Sequence, residues 1–179
     1  ILQRKGAQNV LPFRYIAALR AAPSFAKELD TALQEAVSEL PVLGGKTMVL
    51  VDVSGSMNMP LSARSDMDRI DAAAALAAIV RAENKRIFSF SDRLVEVPAF
   101  DGLACVEAIK SSQPHSSTNL AEAVNALNVK GYDRIIVITD EQALPGRVTP
   151  RVGSKAYMLN VAAYKNGVGS GDWVRIDGW

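Results

Sequence analysis

Two unbroken apolar runs do most to limit the folds open to this chain. Residues 47–51 (TMVLV) and 135–138 (IIVI) contain no alternation of polar and apolar side chains. A strand with one solvated face alternates, so runs of this kind predict strands that are buried on both faces. Such strands belong to parallel sheets with helices on each side. The sequence therefore predicts an α/β domain.

Helices and further strands are predicted around these two runs. An Ala-rich helix is predicted over 69–84, where small side chains on one face would allow close packing on a sheet. The other predicted elements are strands at 86–90, 94–97 and 156–163, helices at 103–109 and 120–127, and an edge strand at 173–176. This alternation predicts a three-layer α/β/α, doubly wound, mostly parallel sheet of the Rossmann-like kind.

The first forty residues have a different pattern. Apolar side chains recur at helical spacing in two short segments separated by Pro23-Ser24. We therefore divide the chain into a helical lead-in, residues 1–43, and the α/β domain, residues 44–179. The lead-in is either the end of an upstream helical-repeat domain or a helical segment packed on the main fold. Because the chain begins with Ile1 rather than Met, we expect it to be a fragment.

Composition narrows the functional classes. The 179 residues are 49% hydrophobic and 22% charged, which suits one soluble domain with a full core. A net charge of +1 predicts no strong attraction to nucleic acid or to an acidic membrane. The single cysteine, Cys105, fits a reducing compartment, so a cytoplasmic location is expected, and it is predicted to be a small apolar side chain on a helix. The sequence contains neither a membrane-span pattern nor a signal-peptide pattern.

Polar side chains follow both apolar runs. The first continues into Asp52-Val53-Ser54-Gly55-Ser56, the second into Thr139-Asp140-Glu141, and Ser116–Asn119 precedes the helix at 120. Ligands of open α/β sheets bind beyond the carboxyl ends of the strands. Carboxylate and hydroxyl oxygens select a hard cation such as magnesium over zinc. Each segment alone is commonly a helix cap or a turn, but all three in this order favour a metal site.

These segments resemble a known site. Asp52-Val53-Ser54-Gly55-Ser56-Met57, Ser117-Thr118-Asn119 and Ile138-Thr139-Asp140 together resemble the metal-ion-dependent adhesion site of von Willebrand factor A domains. The resemblance runs from about residue 46 to the end of the chain. One departure is that serines stand at 116 and 117, where the family often has glycine before the threonine.

The resemblance implies specific roles for the site. The hydroxyls of Ser54, Ser56 and Thr118 would contact a divalent cation directly, and Asp52 and Asp140 would hold its waters. Mg²⁺ is the expected ion, with Mn²⁺ and Ca²⁺ as alternatives. The cation would capture an acidic group of a partner. No cofactor other than the metal is expected.

The lead-in narrows the resemblance further. A helical segment, a Gly44-Gly45-Lys46-Thr47 turn and then the motif are similar to the Ro autoantigen (TROVE-domain) family, and a bacterial Ro-like protein is expected. In that family a ring of helical repeats binds small noncoding RNA and the A domain closes the ring. The resemblance implies a Ro-like ribonucleoprotein component as the parent protein, whereas this fragment alone is expected to bind RNA weakly.

Enzymatic functions are disfavoured by the residues. A P-loop ending at 44–47 would need glycine at Leu40 and a helix afterwards, and a haloacid-dehalogenase phosphatase would need a carboxylate at Ser54. A serine hydrolase would need a Gly-x-Ser-x-Gly elbow and a base, but the one histidine, His115, is predicted in a surface loop. The glycines of 167–171 precede no apolar helix. The alternatives left open are a structural module whose ion only stiffens the loops, and an A domain of another intracellular or adhesion protein.

Overall fold

The computed structural model describes residues 13–63, 65–98, 100–141, 148–162 and 171–177. Two short 3₁₀ turns, Pro23–Phe25 and Gly55–Asn58, accompany the helices and strands. In chain order these elements are α1 (Phe13–Ala21), α2 (Ala26–Ser38), β1 (Leu43–Asp52), α3 (Arg69–Ile79), β2 (Ala82–Phe90), β3 (Leu94–Val97), α4 (Gly102–Lys110), α5 (Leu120–Lys130), β4 (Arg134–Thr139), β5 (Lys155–Asn160) and β6 (Val174–Ile176). No helix in these ranges is long and apolar enough to cross a membrane.

The strands form a six-stranded sheet in the order β3-β2-β1-β4-β5-β6. Among them, β3 alone runs antiparallel to its neighbour, and all other pairs are parallel. In the pairing of β1 with β4, Val49 lies opposite Ile136 and Leu50 opposite Val137. The prediction of a mostly parallel, doubly wound sheet with β6 on an edge is therefore confirmed.

Alternate residues of the central strands enter two different cores. Val49 and Val51 of β1 pack with α1, α2, α3 and α4, whereas Met48 and Leu50 pack with α5 on the opposite face. All four side chains are fully buried. The unbroken apolar run therefore reflects helices on both faces, which gives the three layers predicted from the sequence.

Several predicted boundaries differ from the structure, and two of the differences are large. The helix predicted over 69–84 ends at Ile79, and residues 82–84 belong to β2. These residues pair with the start of β1, where Leu43 lies opposite Ala82, so strand pairing overrides their local helix propensity. The strand predicted at 156–163 ends at Asn160. Residue 163, most of the glycine-rich stretch 167–171 and residues 1–12 of the lead-in lie outside the described residues.

The described part of the lead-in packs against the α/β domain. Tyr15, Ile16, Leu29 and Leu33 are buried in the same core as β1. Arg20 of α1 and Lys110 of α4 both pair with the buried carboxylate of Asp71 in α3, at 2.8 Å for the lysine. The lead-in helix α1 and two helices of the domain are therefore joined at one buried acidic group.

A side chain of the lead-in also caps a helix of the domain. The Oδ1 atom of Asp30 in α2 accepts a hydrogen bond from the backbone N–H of Leu103, at 2.7 Å, in the first turn of α4. The preceding residue, Gly102, has φ 57°, and a Cβ atom there would clash with the Asp30 carboxylate. Glycine is therefore required at 102 for both the backbone conformation and the close approach.

We expect Asp30→Ala to lower the free energy of unfolding by about 1 kcal/mol, because it removes the acceptor for an N-terminal N–H of α4. Urea unfolding monitored by circular dichroism measures the change. Glu35→Ala is the control, since it removes the same charge from an exposed position of the same helix. Equal midpoints for the two variants would mean that this cap contributes nothing.

Candidate metal centre

The predicted site lies where the strand order reverses. From β1 the chain passes to β2 on one side, and later to β4 on the other side of β1. Asp52 is the last residue of β1, and Asp140 directly follows β4. Because these two strands are adjacent and parallel, both aspartates lie at the same edge of the sheet.

The Asp-x-Ser-x-Ser motif forms a compact turn. Asp52 Oδ1 accepts a hydrogen bond from the backbone N–H of Ser54 at 2.9 Å. Ser54 is extended, with φ −66° and ψ 169°, and a 3₁₀ turn begins at the next residue. The hydroxyl oxygens of Ser54 and Ser56 lie 3.3 Å apart. The structure thus brings these three predicted ligand residues together.

The loop that carries Thr118 lies against this turn. The backbone N–H of Gly55 donates to the carbonyl of Ser116 at 3.2 Å. The Ser91 hydroxyl, at the end of β2, donates to the Ser117 carbonyl at 2.9 Å and accepts from the Ser116 N–H at 3.0 Å. Thr118 is buried, with 8% of its surface exposed. The loop is therefore held between the motif and the end of β2.

Ser117 stands at the position before the threonine where glycine was expected, and both it and Ser116 form hydrogen bonds. The hydroxyls of Ser116 and Ser117 both donate to the carboxylate of Asp92, and so does the Ser117 N–H at 3.1 Å. These hydrogen bonds, with that of Ser116 foremost, hold the pKa of Asp92 below its ordinary value. The serines therefore fasten the loop to the β2–β3 turn.

Asp140 has a partner that the sequence did not indicate. Its carboxylate is fully buried, and Arg69 Nη1 donates to its Oδ2 atom at 2.7 Å. The same Nη1 atom lies 3.5 Å from the carbonyl of Ser56. A basic first residue is unfavourable for a helix, since the N-terminus of the helix dipole is positive. That anomaly was the one sequence signal that could have identified Arg69.

Thr139 joins the ends of the two central strands. Its hydroxyl donates to Asp52 Oδ2 at 2.6 Å and accepts from the backbone N–H of Glu141 at 3.0 Å. Glu141 has φ 57°, and its buried carboxylate pairs with Arg175 of β6 at 2.8 and 3.2 Å. The segment after β4 is therefore fixed from both β1 and the edge strand.

The environment of Asp52 disfavours its charge. The pKa of Asp52 is raised to about 6, mainly by burial and to a smaller extent by the nearby carboxylate of Asp140. Hydrogen bonds from Ser54 and Thr139 act in the opposite direction. A cation at this place would favour the ionised carboxylate. The site therefore carries a negative charge that the fold alone does not fully stabilise.

The remaining candidates of the sequence lie beside the site or away from it. The His115 ring lies between Asn58 and α4, with Nδ1 3.1 Å from Asn58 Oδ1 and Nε2 2.8 Å from the Lys110 carbonyl. Cys105 is buried in α4, as predicted for a small apolar side chain. Among the described residues, no three His, Cys, Asp or Glu side chains are grouped so as to hold a metal. The donors at the strand ends are instead two carboxylates with hydroxyls.

Comparison with known families and structures identifies the family of the domain and its fold. The family described as the Ro60 vWA domain matches residues 46–163. The crystal structure of the Ro (RSR) protein of Deinococcus radiodurans is similar, with a TM-score of 0.68 and 19% identity, over 86% of this chain and 35% of that chain. Residues 46–179 make up less than 86% of this chain, so the matched region also includes part of the helical lead-in. This chain spans about a third of the length of that protein.

A second solved structure is similar in fold. An aerotolerance-related membrane protein of Bacteroides fragilis matches with a TM-score of 0.51 and 17% identity, over 66% of this chain and 67% of that chain. No curated protein sequence matches.

We expect Asp52→Asn to stabilise the metal-free protein at pH 8. The folded pKa of about 6 lies above the ordinary value of 3.8. Asp52 therefore loses stabilisation as the pH rises from about 4 to about 6, by roughly 3 kcal/mol in total, and asparagine cannot ionise. Urea unfolding in EDTA at pH 4 and pH 8 measures the difference between variant and wild type.

The exposed Asp66 supplies the control for this comparison, since Asp66→Asn should change stability little at either pH. The expectation fails if Asp52→Asn is less stable than wild type at pH 8.

Proposed function

Because the chain belongs to the Ro60 vWA domain family, we propose that it is a metal-dependent binding domain. It holds one divalent cation, Mg²⁺ in the first place, and uses it to capture an acidic group of a partner. The observation that carries the proposal is the meeting of the Asp52 motif, the Thr118 loop and Asp140 at the reversal of strand order.

The donor set fits a hard cation. Ser54 and Ser56 present hydroxyl oxygens 3.3 Å apart. Adjacent oxygen ligands of octahedral Mg²⁺ lie about 3 Å apart, and longer bonds to Ca²⁺ widen that separation. Thr118 is the third hydroxyl in the proposed set, with Asp52 and Asp140 as the carboxylates that would hold waters.

The charge of the donors favours ligand capture. Hydroxyls are neutral, so three of them leave most of the charge of a bound cation uncompensated. When bound, the cation supplies a positive field and a coordination position that a carboxylate or phosphate can fill. Thr139 and the Ser54 N–H keep Asp52 oriented, while the contacts of Ser91 keep the Thr118 loop in place.

We propose no catalytic activity. A hydrolytic metal site needs a general base next to an activated water. Both ring nitrogens of His115 lie within hydrogen-bond distance of the chain's own Asn58 and Lys110. Asp52 and Asp140 are the proposed holders of metal-bound waters, so neither is offered as a base.

We further propose that the parent protein is Ro-like and that its other parts bind small noncoding RNA. The family match and the fold likeness to the Deinococcus Ro protein support this. The net charge of +1 supports an arrangement in which this domain itself binds RNA only weakly. A cytoplasmic location is proposed because the one cysteine, Cys105, is a buried thiol.

Thr118→Ala is expected to weaken Mg²⁺ and Mn²⁺ binding by about ten-fold or more while leaving the fold intact, because it removes one neutral oxygen ligand without changing charge. Isothermal calorimetry beside a thermal melt separates metal affinity from folding. Thr31→Ala makes the same chemical change at an exposed position of α2 and is the control. Equal metal affinity in both variants would contradict the proposed site.

Water-proton relaxation of the Mn²⁺-loaded protein distinguishes a cation that captures an acidic ligand from a cation that only stiffens the loops. If the coordination position is open, acetate or phosphate added to the Mn²⁺-loaded protein displaces bound water, and the water-proton relaxation enhancement falls. A bound Mn²⁺ whose relaxation is unaffected by either anion would favour the structural module.

The chain alone is expected to bind RNA weakly and without sequence preference, because its net charge of +1 offers little phosphate neutralisation. Electrophoretic mobility shifts at physiological salt with structured and single-stranded RNAs measure this. A tight complex that persists at higher salt would overturn the expectation.

A further inference from the structure

We propose that Arg69 is a permanent counter-cation of the metal site, which keeps the site positive once a divalent cation is bound. This inference rests on the proposed function and deepens it. It is carried by the ion pair between Arg69 Nη1 and Asp140 Oδ2, at 2.7 Å, at the edge of the sheet where the metal ligands are proposed.

The surroundings of Arg69 fix its position. Its residue is 8% exposed although it is charged, and it is the first residue of α3. A capping box of Asp68 and Asp71 fixes the start of that helix. Asp71 is in turn held by Arg20 and Lys110. The Arg69 guanidinium therefore projects from a helix end whose position is fixed by a capping box and two ion pairs.

The charge balance at the site depends on this residue. Asp52 and Asp140 are the two proposed acidic holders of metal-bound water, and Arg69 offsets one of them. Among the described residues, the buried carboxylate of Glu141 is paired with Arg175, and the exposed carboxylate of Asp92 is hydrogen-bonded to Ser116 and Ser117. At neutral pH the charges of Asp52, Asp140 and Arg69 sum to one net negative charge, and a divalent cation changes that sum to one net positive charge.

Without Arg69 the loaded site would be neutral. Two carboxylates would then match a divalent cation, and an anionic ligand would gain little from approaching. With Arg69 the surplus positive charge lies in a buried region, where charge interactions are stronger than in water. The arginine therefore lowers the affinity for the cation and raises the affinity for an acidic ligand.

The test removes the charge while keeping a hydrogen-bond donor for Asp140. Arg69→Gln is expected to bind Mg²⁺ at least about ten-fold more tightly than wild type, since one repelling charge is gone. In the Mn²⁺-loaded form, acetate is expected to bind at least about ten-fold more weakly, measured by water-proton relaxation. Arg69→Lys keeps the charge and should remain within a few-fold of wild type in both measurements.

A matched control accounts for the change in net charge. Arg86→Gln removes one positive charge from an exposed ion pair with Glu96, on the β2–β3 side of the sheet. It should leave both affinities unchanged. Thermal melts with and without Mg²⁺ give a second readout, in which the metal is expected to raise the Tm of Arg69→Gln more than that of wild type. Arg69→Met supplies a second neutral variant if the glutamine variant does not fold.

The outcomes separate this inference from the proposed function. If wild type binds Mg²⁺ and the neutral variants bind it no more tightly, Arg69 is not a counter-cation, while the proposed function stands. If only the neutral variants bind metal, the guanidinium takes the place of the cation in the wild type, which overturns both the proposed function and the counter-cation role. If no form binds metal, both are overturned.

Discussion

A fully buried carboxylate, that of Asp52, is the group around which the rest of the structure is arranged. Taking it out of water is costly, and burial raises its pKa to about 6. Hydrogen bonds from Ser54, which include one from its N–H, and from the hydroxyl of Thr139 limit that cost. The first requires the sharp turn of the motif, and the second requires β4 to lie next to β1. The strand order and the local turn therefore both provide hydrogen-bond donors to the carboxylate oxygens of Asp52.

The fold could be predicted from local pattern because its strands are buried on both faces. Residues 47–51 and 134–139 carry that information in their own composition, and the structure places them side by side. The end of α3 could not be predicted in this way. Residues 82–84 have no strand pattern of their own, and they form a strand because Ala82 pairs with Leu43, 39 residues earlier in the chain. The periodicity of a segment can be predicted from its own residues, but its pairing with a parallel strand distant in the sequence cannot.

The same distinction separates the site residues. Ser54 and Ser56 could be predicted to meet because they lie within one turn. The approach of the Thr118 loop was expected from the order of the polar segments and from the family resemblance, but its contacts with Gly55 and Ser91 are seen only in the structure. Arg69 was missed, because its partner Asp140 is 71 residues away. Its unfavourable place at a helix N-terminus was a signal, but only the structure supplies the buried acid that explains it.

The contacts around the site also bear on how it would work. Glu141 keeps a left-handed backbone conformation because Thr139 and Arg175 hold it from two sides. Such a conformation is unfavourable for a residue other than glycine and persists only when its surroundings fix it. Arg69 fixes Asp140 in the same way. Since the protein's own hydrogen bonds already orient these groups, ordering them costs little further entropy when a ligand binds. Affinity at such a site is then governed chiefly by its charge, and that charge is set by the balance of Asp52, Asp140 and Arg69.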